Sequence, residues 1–208
     1  MTISFFLGIM VAYLLGSIPS AVWIGKIFYR VDVREHGSGN AGATNVIRVL
    51  GPWAGLPVLL FDVFKAWLAV YLGNVFVPDF YSTHQLVNYQ MALGAVAVVG
   101  HIFPVFAHFR GGKGVASIVG VILALYPVIF PIILVWFIIM LVTTGYVSVG
   151  SITSSILLPV LVIAVFREQH ISLIILSILI GVFIPLMHRK NIHRLLRGEE
   201  SKFSVHKK

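Results

Sequence analysis

An all-α, polytopic integral membrane protein is what this sequence predicts, and three observations predict it. Hydrophobic residues fill 59% of the 208 positions and charged residues only 11%, where a soluble domain carries about 25% charged residues. The apolar residues fall in runs of bilayer length, for a hydrocarbon core about 30 Å thick. The basic residues gather in three short segments beside those runs. A core of this size cannot hide so much apolar surface from water, so lipid must solvate much of it. No internal repeat or low-complexity tract divides the chain, which reads as one domain over 1–208.

Apolar runs lie at 3–25, 52–76, 88–107, 115–143, 147–166 and 170–187. The run 115–143 is too long for one straight crossing, since 29 residues of helix reach about 43 Å. Pro127 and Pro131 lie inside it and each removes a helical donor. Charge decides how to divide it. Lys26, Arg30, Arg34 and Arg48 form one basic segment, and Arg110 and Lys113 a second. Arg189, Lys190, Arg194, Arg197, Lys202, Lys207 and Lys208 form a third. The positive-inside rule places all three in the cytoplasm. An even number of crossings must then follow residue 114, so 115–143 divides into helices 115–125 and 127–143. The prediction is about seven transmembrane helices, N-terminus outside and C-terminus cytoplasmic, with Gly145 inside and Gln169 outside.

The N-terminal run has no basic residues before it and more spans follow, so it reads as a retained first span rather than a cleaved signal. The chain has no cysteine, which excludes disulfides and thiolate chemistry. Its net charge of +8 sits beside membrane segments. Anionic headgroups and anionic substrates fit that placement better than nucleic acid.

The first polar segment contains GSGNAGATNVIR, 37–48. Gly37, Gly39 and Gly42 allow close backbone approach, and successive N–H groups there can cup an anion. Thr44 or Asn45 reads as the N-cap of a helix carrying Arg48. No GK[ST] closes the loop, so it is not a Walker motif. In the second, GHIFPVFAHFRGGKGVAS over 100–117, Gly111, Gly112 and Gly114 surround Lys113 as a phosphate cradle would. Arg110 reads as a membrane anchor and His101 as a packing histidine. In the third, MHRKNIHRLLRGEESKF over 187–203, His188 and Asn191 share a helical face, and Gly198 reads as a helix stop. His188, His193 and His206 do not form a convincing metal site. Asp62 and Lys65, one helical turn apart within the second span, read as a structural pair. Taken singly, each polar segment also fits a plain loop or a basic headgroup anchor.

Together the three segments resemble the bacterial acyl-phosphate:glycerol-3-phosphate acyltransferase family. The GSGNAGATN loop, the GH-x-FPVF-x-x-FRGGKG segment and the HR-x-NI-x-RL-x-x-G-x-E tail occur in that family's order. The resemblance implies a cell-membrane enzyme of phospholipid synthesis, with its site on the cytoplasmic face of the bacterial inner membrane. Such enzymes move a fatty acyl group from acyl phosphate to the 1-hydroxyl of sn-glycerol 3-phosphate, giving 1-acylglycerol 3-phosphate and phosphate. The reaction is the first committed acylation of the pathway and needs neither cofactor, metal nor carrier protein. By resemblance, Ser38, His188 and Asn191 carry catalysis. Gly37, Gly39, Asn40, Thr44, Asn45, Arg48, Gly111, Gly112 and Lys113 bind substrate. Glu200 matches a tail glutamate that holds the structure.

The chemistry implied is direct transfer. None of the eight histidines is followed five residues later by aspartate, so the soluble acyltransferase pair is absent. His188 suits a general base by type, but the donor's own phosphate also carries basic oxygens. The main alternative is a transporter for phosphorylated metabolites, which would also need spans and anion nests. Its polar segments would not all lie on one side. A non-catalytic lipid anchor would have no use for GSGNAGATN.

Overall fold

The structure, a computed structural model, describes residues 3–77 and 82–203; His206, Lys207 and Lys208 lie outside the described residues. All regular structure among the described residues is helical. Among the described residues three helical stretches are long and apolar enough to cross a bilayer: Pro52–Phe76, Thr83–Ala107 and Val147–Val165. Two bent helix pairs, Ile3–Gly16 with Ser20–Tyr29 and Ile171–Met187 with Arg189–Leu196, are so too when each is taken as one span. Large apolar side chains such as Leu60, Phe64, Ile138, Val142, Ile175 and Leu179 point outward, as lipid-facing residues do. The chain packs as two compact units, the first through Leu125 and the second from Tyr126.

In the first unit α1 (Ile3–Gly16) breaks before α2 (Ser20–Tyr29) with a bend of 42°. The single run 3–25 is therefore two helices. Pro19 is the cause, because it has no N–H to donate and drives Ile18 out of helical geometry. A short helix α3 (Ala43–Leu50) then precedes α4 (Pro52–Tyr71), and the one-turn α5 (Gly73–Phe76) follows it. The next helix, α6 (Thr83–Ile102), starts ahead of its apolar run. A reciprocal capping box between Ser82 and Gln85 sets that start, and hydropathy does not see such a device. α7 (Val115–Leu125) packs on α4, and α1 packs on α6. Small residues make these contacts close: a side chain on Gly16 would strike the carbonyl of Ala97, and one on Gly120 that of Val63. Such approach is how helices bind in lipid, where no hydrophobic force joins them.

The second unit opens with Tyr126, whose hydroxyl donates to the Leu173 carbonyl at 2.6 Å. The prolines do divide the long run, into α7 and α8 (Phe130–Thr144). α9 (Val147–Val160) packs between α8 and α10 (Ile171–Met187). It loosens into one π-turn, Leu161–Val165, just after Pro159. α10 meets α11 (Arg189–Leu196) at a 58° bend beside Pro185.

The α1–α2 break is held from α4. Lys65 Nζ donates to the Ile18 carbonyl at 2.8 Å and pairs with Asp62 Oδ1 at 2.7 Å. Ser20, the first residue of α2, donates its hydroxyl to Asp62 Oδ1 at 2.8 Å. Asp62 and Lys65 are each 1% exposed, so neither charge has water to fall back on. Lys65→Met should therefore cost about 3–5 kcal/mol, the usual price of leaving one member of a buried pair alone. Replacing both, as Asp62→Leu with Lys65→Met, should recover part of that loss. Thermal unfolding in detergent checks both, and a double variant less stable than Lys65→Met would contradict the account.

Candidate active site

Residues 30–51 do not form a loose turn. Asp32 accepts from the backbone N–H of Arg34 at 3.1 Å and from its guanidinium at 2.7 and 2.9 Å. Lys26 adds an ion pair at 3.1 Å. The Arg34 hydrogen bonds hold the Asp32 carboxyl well below the usual carboxylate range, against the opposing effect of burial. Arg34 then reaches the second polar segment, donating to the Ala107 carbonyl at 3.0 Å. From the sequence Arg34 reads only as one of the basic residues beside the spans, and no motif marks Asp32. The available signal was the D-x-R spacing, in which a short acceptor precedes its own turn.

Asn45 shapes the glycine loop from within. It is 1% exposed. Its Oδ1 accepts the backbone N–H of Ser38 at 2.8 Å, while Nδ2 donates to the carbonyls of Val33 at 2.7 Å and His36 at 3.1 Å. Neither Thr44 nor Asn45 is the N-cap of α3; Gly42 is, without a side-chain cap bond. Asn45, a turn inside the helix, reaches back over the loop instead. Gly37 must be glycine, since its φ is +60° and a side chain would strike Asn45. The result is a fixed loop that leaves Ser38, Gly39 and Arg48 exposed, with Asn40 and Thr44 half-buried.

The GGKG segment folds back on the end of α6. Gly111 N–H donates to the Ile102 carbonyl at 3.1 Å and Gly112 N–H to the His101 carbonyl at 3.2 Å. A side chain on Gly112 would meet the His101 ring and the Ala41 carbonyl. The two glycine-rich segments of the first unit therefore touch. Lys113 sits between Gly112 and Gly114, where φ is +82°, just ahead of α7.

In the second unit His188 lies at the α10–α11 bend and is 4% exposed. Its Nδ1 is 2.9 Å from the Ile184 carbonyl. A carbonyl only accepts, so Nδ1 carries a proton in this contact. Asn191 donates to Glu200 Oε1 at 2.6 Å, and Ser148 at the start of α9 donates to the same oxygen at 3.1 Å. Arg194 donates to Oε2 at 2.6 Å. α11 stops at Gly198 as expected. Gly198 N–H bonds to Leu195 and Glu199 N–H to Arg194, which returns the chain through a left-handed glycine. The returning tail then meets the α8–α9 turn, where Phe203 N–H donates to the Gly145 carbonyl at 2.7 Å. Among the described residues no group of three His, Asp or Glu could hold a metal ion.

The first unit thus carries Ser38 and Lys113 on two touching glycine-rich segments and Arg48 in the last turn of α3, and the second holds His188 and Asn191 at one bend. The profile of the glycerol-3-phosphate acyltransferase family matches residues 6–198. The chain belongs to that family. The glycerol-3-phosphate acyltransferase of Fusobacterium nucleatum is 44% identical over 200 residues, 96% of this chain and 98% of the relative. That of Listeria monocytogenes serovar 1/2a is 46% identical over 202 residues, 97% and 98% of the two chains. Among solved structures, the glycerol 3-phosphate form of PlsY (YgiH), an integral membrane glycerol 3-phosphate acyltransferase, superposes with a TM-score of 0.84. It shares 34% identity over 97% of this chain and 96% of that one. Its lysophosphatidic acid form gives 0.81. This chain is an acyltransferase of phospholipid synthesis, built into the membrane.

In this acyltransferase Glu200 is the link most exposed to acid. Burial works against its charge, but the bonds from Arg194, Asn191 and Ser148 outweigh burial and hold the carboxyl below its ordinary value. A lowered folded value stabilises above the unfolded one, near pH 4.3, and is lost as pH falls through the folded one. The stability gap between wild type and Glu200→Gln should be full at pH 6 and shrink progressively as the pH falls below about 4.3. Thermal unfolding across pH 3–7 measures it, and a gap that widens toward acid would contradict the assignment.

Proposed function

We propose that this chain, one acyltransferase domain over 1–208, transfers a fatty acyl group from acyl phosphate to the 1-hydroxyl of sn-glycerol 3-phosphate. The observation that carries the reading is the pair of interlocked glycine loops in the first unit. Lys113 rides on one of them and exposed Arg48 on α3, which follows the other, and two cations suit two substrates that each bear a phosphate. In this reading the acyl group arrives as acyl phosphate, without a protein carrier.

In the proposed reaction Arg48 and Lys113 hold phosphates, and His188 with Asn191 orients glycerol 3-phosphate. Nε2 of His188 accepts a hydrogen bond from the attacking hydroxyl. That oxygen adds to the acyl carbon, the C–O bond to phosphate breaks, and the departing phosphate takes the proton. The enzyme supplies orientation and charge stabilisation. Ser38 hydrogen-bonds a reacting group without being acylated. Purified protein given acyl phosphate and glycerol 3-phosphate should release phosphate and lysophosphatidate in equal amounts. Arg48→Ala and Lys113→Ala should each lower kcat/KM by about a hundredfold. Labelled acyl phosphate without acceptor should leave no acyl group on Ser38, and a trapped acyl-serine would overturn direct transfer.

The proposed setting is the bacterial inner membrane, with seven crossings, the N-terminus outside and the polar segments cytoplasmic. Gly145 adopts φ +79° against Lys202, so exposed Thr143 is the better place for a probe. Thr143→Cys should label only from the cytoplasm and Gln169→Cys only from outside. The opposite pattern would overturn the topology.

A further inference from the structure

The Asp62–Lys65 pair has a third partner that the fold alone does not require. His101, in the last turn of α6 and 7% exposed, places Nδ1 3.5 Å from Asp62 Oδ1. The other edge of its ring, Nε2 and Cε1, lies against Gly112, close enough that any side chain there would collide with it. The backbone of the same residue accepts the Gly112 N–H. One residue therefore touches the buried pair with one ring edge and the GGKG loop with the other. Asp62, Lys65, His101, Gly111, Gly112 and Ala41 all line one small cavity of about 10 Å³, so both glycine loops meet the charge pair at that point.

We infer that His101 is a positioning residue for the phosphate-binding loop, its ring oriented by Asp62 and serving as the floor on which Gly112 and Lys113 are set. Burial and pairing fix Asp62 from α4, Ser20 and Lys65 hold its Oδ1, and the imidazole spans from that fixed oxygen to the loop backbone. An arginine, lysine or aliphatic side chain would not do both. The imidazole sets one ring nitrogen against a glycine and carries a donor on the other. The role rests on the reading that the Lys113 loop holds a phosphate.

Two substitutions separate the edges. His101→Asn keeps a donor near the Nδ1 position but removes the floor; His101→Phe keeps a ring under Gly112 but removes the donor. Each should weaken binding of inorganic phosphate and of glycerol 3-phosphate to the purified protein by about tenfold, raising KM while kcat changes by less than about threefold. Because His101 acts through the loop, neither should weaken binding further in a Lys113→Ala background. A residue that merely stabilises the fold would add to the effect of Lys113→Ala and lower kcat with the amount of folded protein. Should His101→Phe fail to fold, His101→Asn alone completes the cycle. Wild-type affinity in His101→Asn, or full additivity with Lys113→Ala, would overturn the inference while leaving the transfer reaction intact. If instead wild type releases no phosphate from acyl phosphate, the reaction proposed above fails, and the phosphate-binding cycle still decides the role of His101.

Discussion

The first unit depends on a carboxylate and an ammonium that share the interior of a transmembrane helix. Stripping both of water carries a penalty of several kcal/mol per ion, and pairing alone does not recover it. Asp62 and Lys65 recover it by serving other groups. Lys65 gives a donor to the Ile18 carbonyl beside the break at Pro19, and Asp62 takes the hydroxyl of Ser20 at the start of the next helix. A break within a lipid-facing helix is tolerable only where such groups are satisfied. The pair therefore makes the bend possible, and the bend sets the direction in which α2 leaves for the polar segment 30–36.

Each unit then uses one buried polar side chain to fix the segment that carries chemistry. In the first, Asn45 binds three backbone groups of the glycine loop. In the second, Glu200 gathers Asn191, Arg194 and Ser148, joining α11, the tail and the start of α9. The residues proposed to meet substrate are mounted on these supports and do not build them. Asn45 and Asn191 are the exceptions, the one bracing the loop and the other holding Glu200 through its Nδ2. Glycine-rich loops are costly to order, because glycine loses the most freedom on folding. Supports of this kind meet that cost within the fold itself.

Hydropathy made the helices legible, and Pro127 made the division of 115–143 legible. The break at Pro19 was equally written in the sequence. It went unread because the residues on both sides are apolar, and a hydropathy run does not register whether backbone groups are paired. The pairing of Asp62 with Lys65 follows from i, i+3 spacing, but Ser20 and His101 join it from 42 and 39 residues away, beyond any local rule. Asn45 shows the opposite failure. A capping rule fits it locally, yet α3 starts at Ala43 and the side chain turns back to the loop. As for the site, composition and spacing do not distinguish Ser38 from Ser17 or Ser20. The order of three motifs does, and so the candidate residues came from resemblance and the physical reasons for their placement came from the fold.

The same interior pair bears on the competing idea of a transporter. Charged residues at membrane depth commonly mark a substrate path, where they face a cavity large enough for the solute and are released to bind it. Here Lys65 is engaged by a carbonyl and a carboxylate, and the cavity beside it holds about 10 Å³, room for roughly one water molecule. A phosphorylated metabolite needs a pocket of about 300 Å³ or more. The intramembrane charges are committed to the protein itself. A transporter would place its affinity at the midplane. This chain uses its buried polarity to brace the break between α1 and α2.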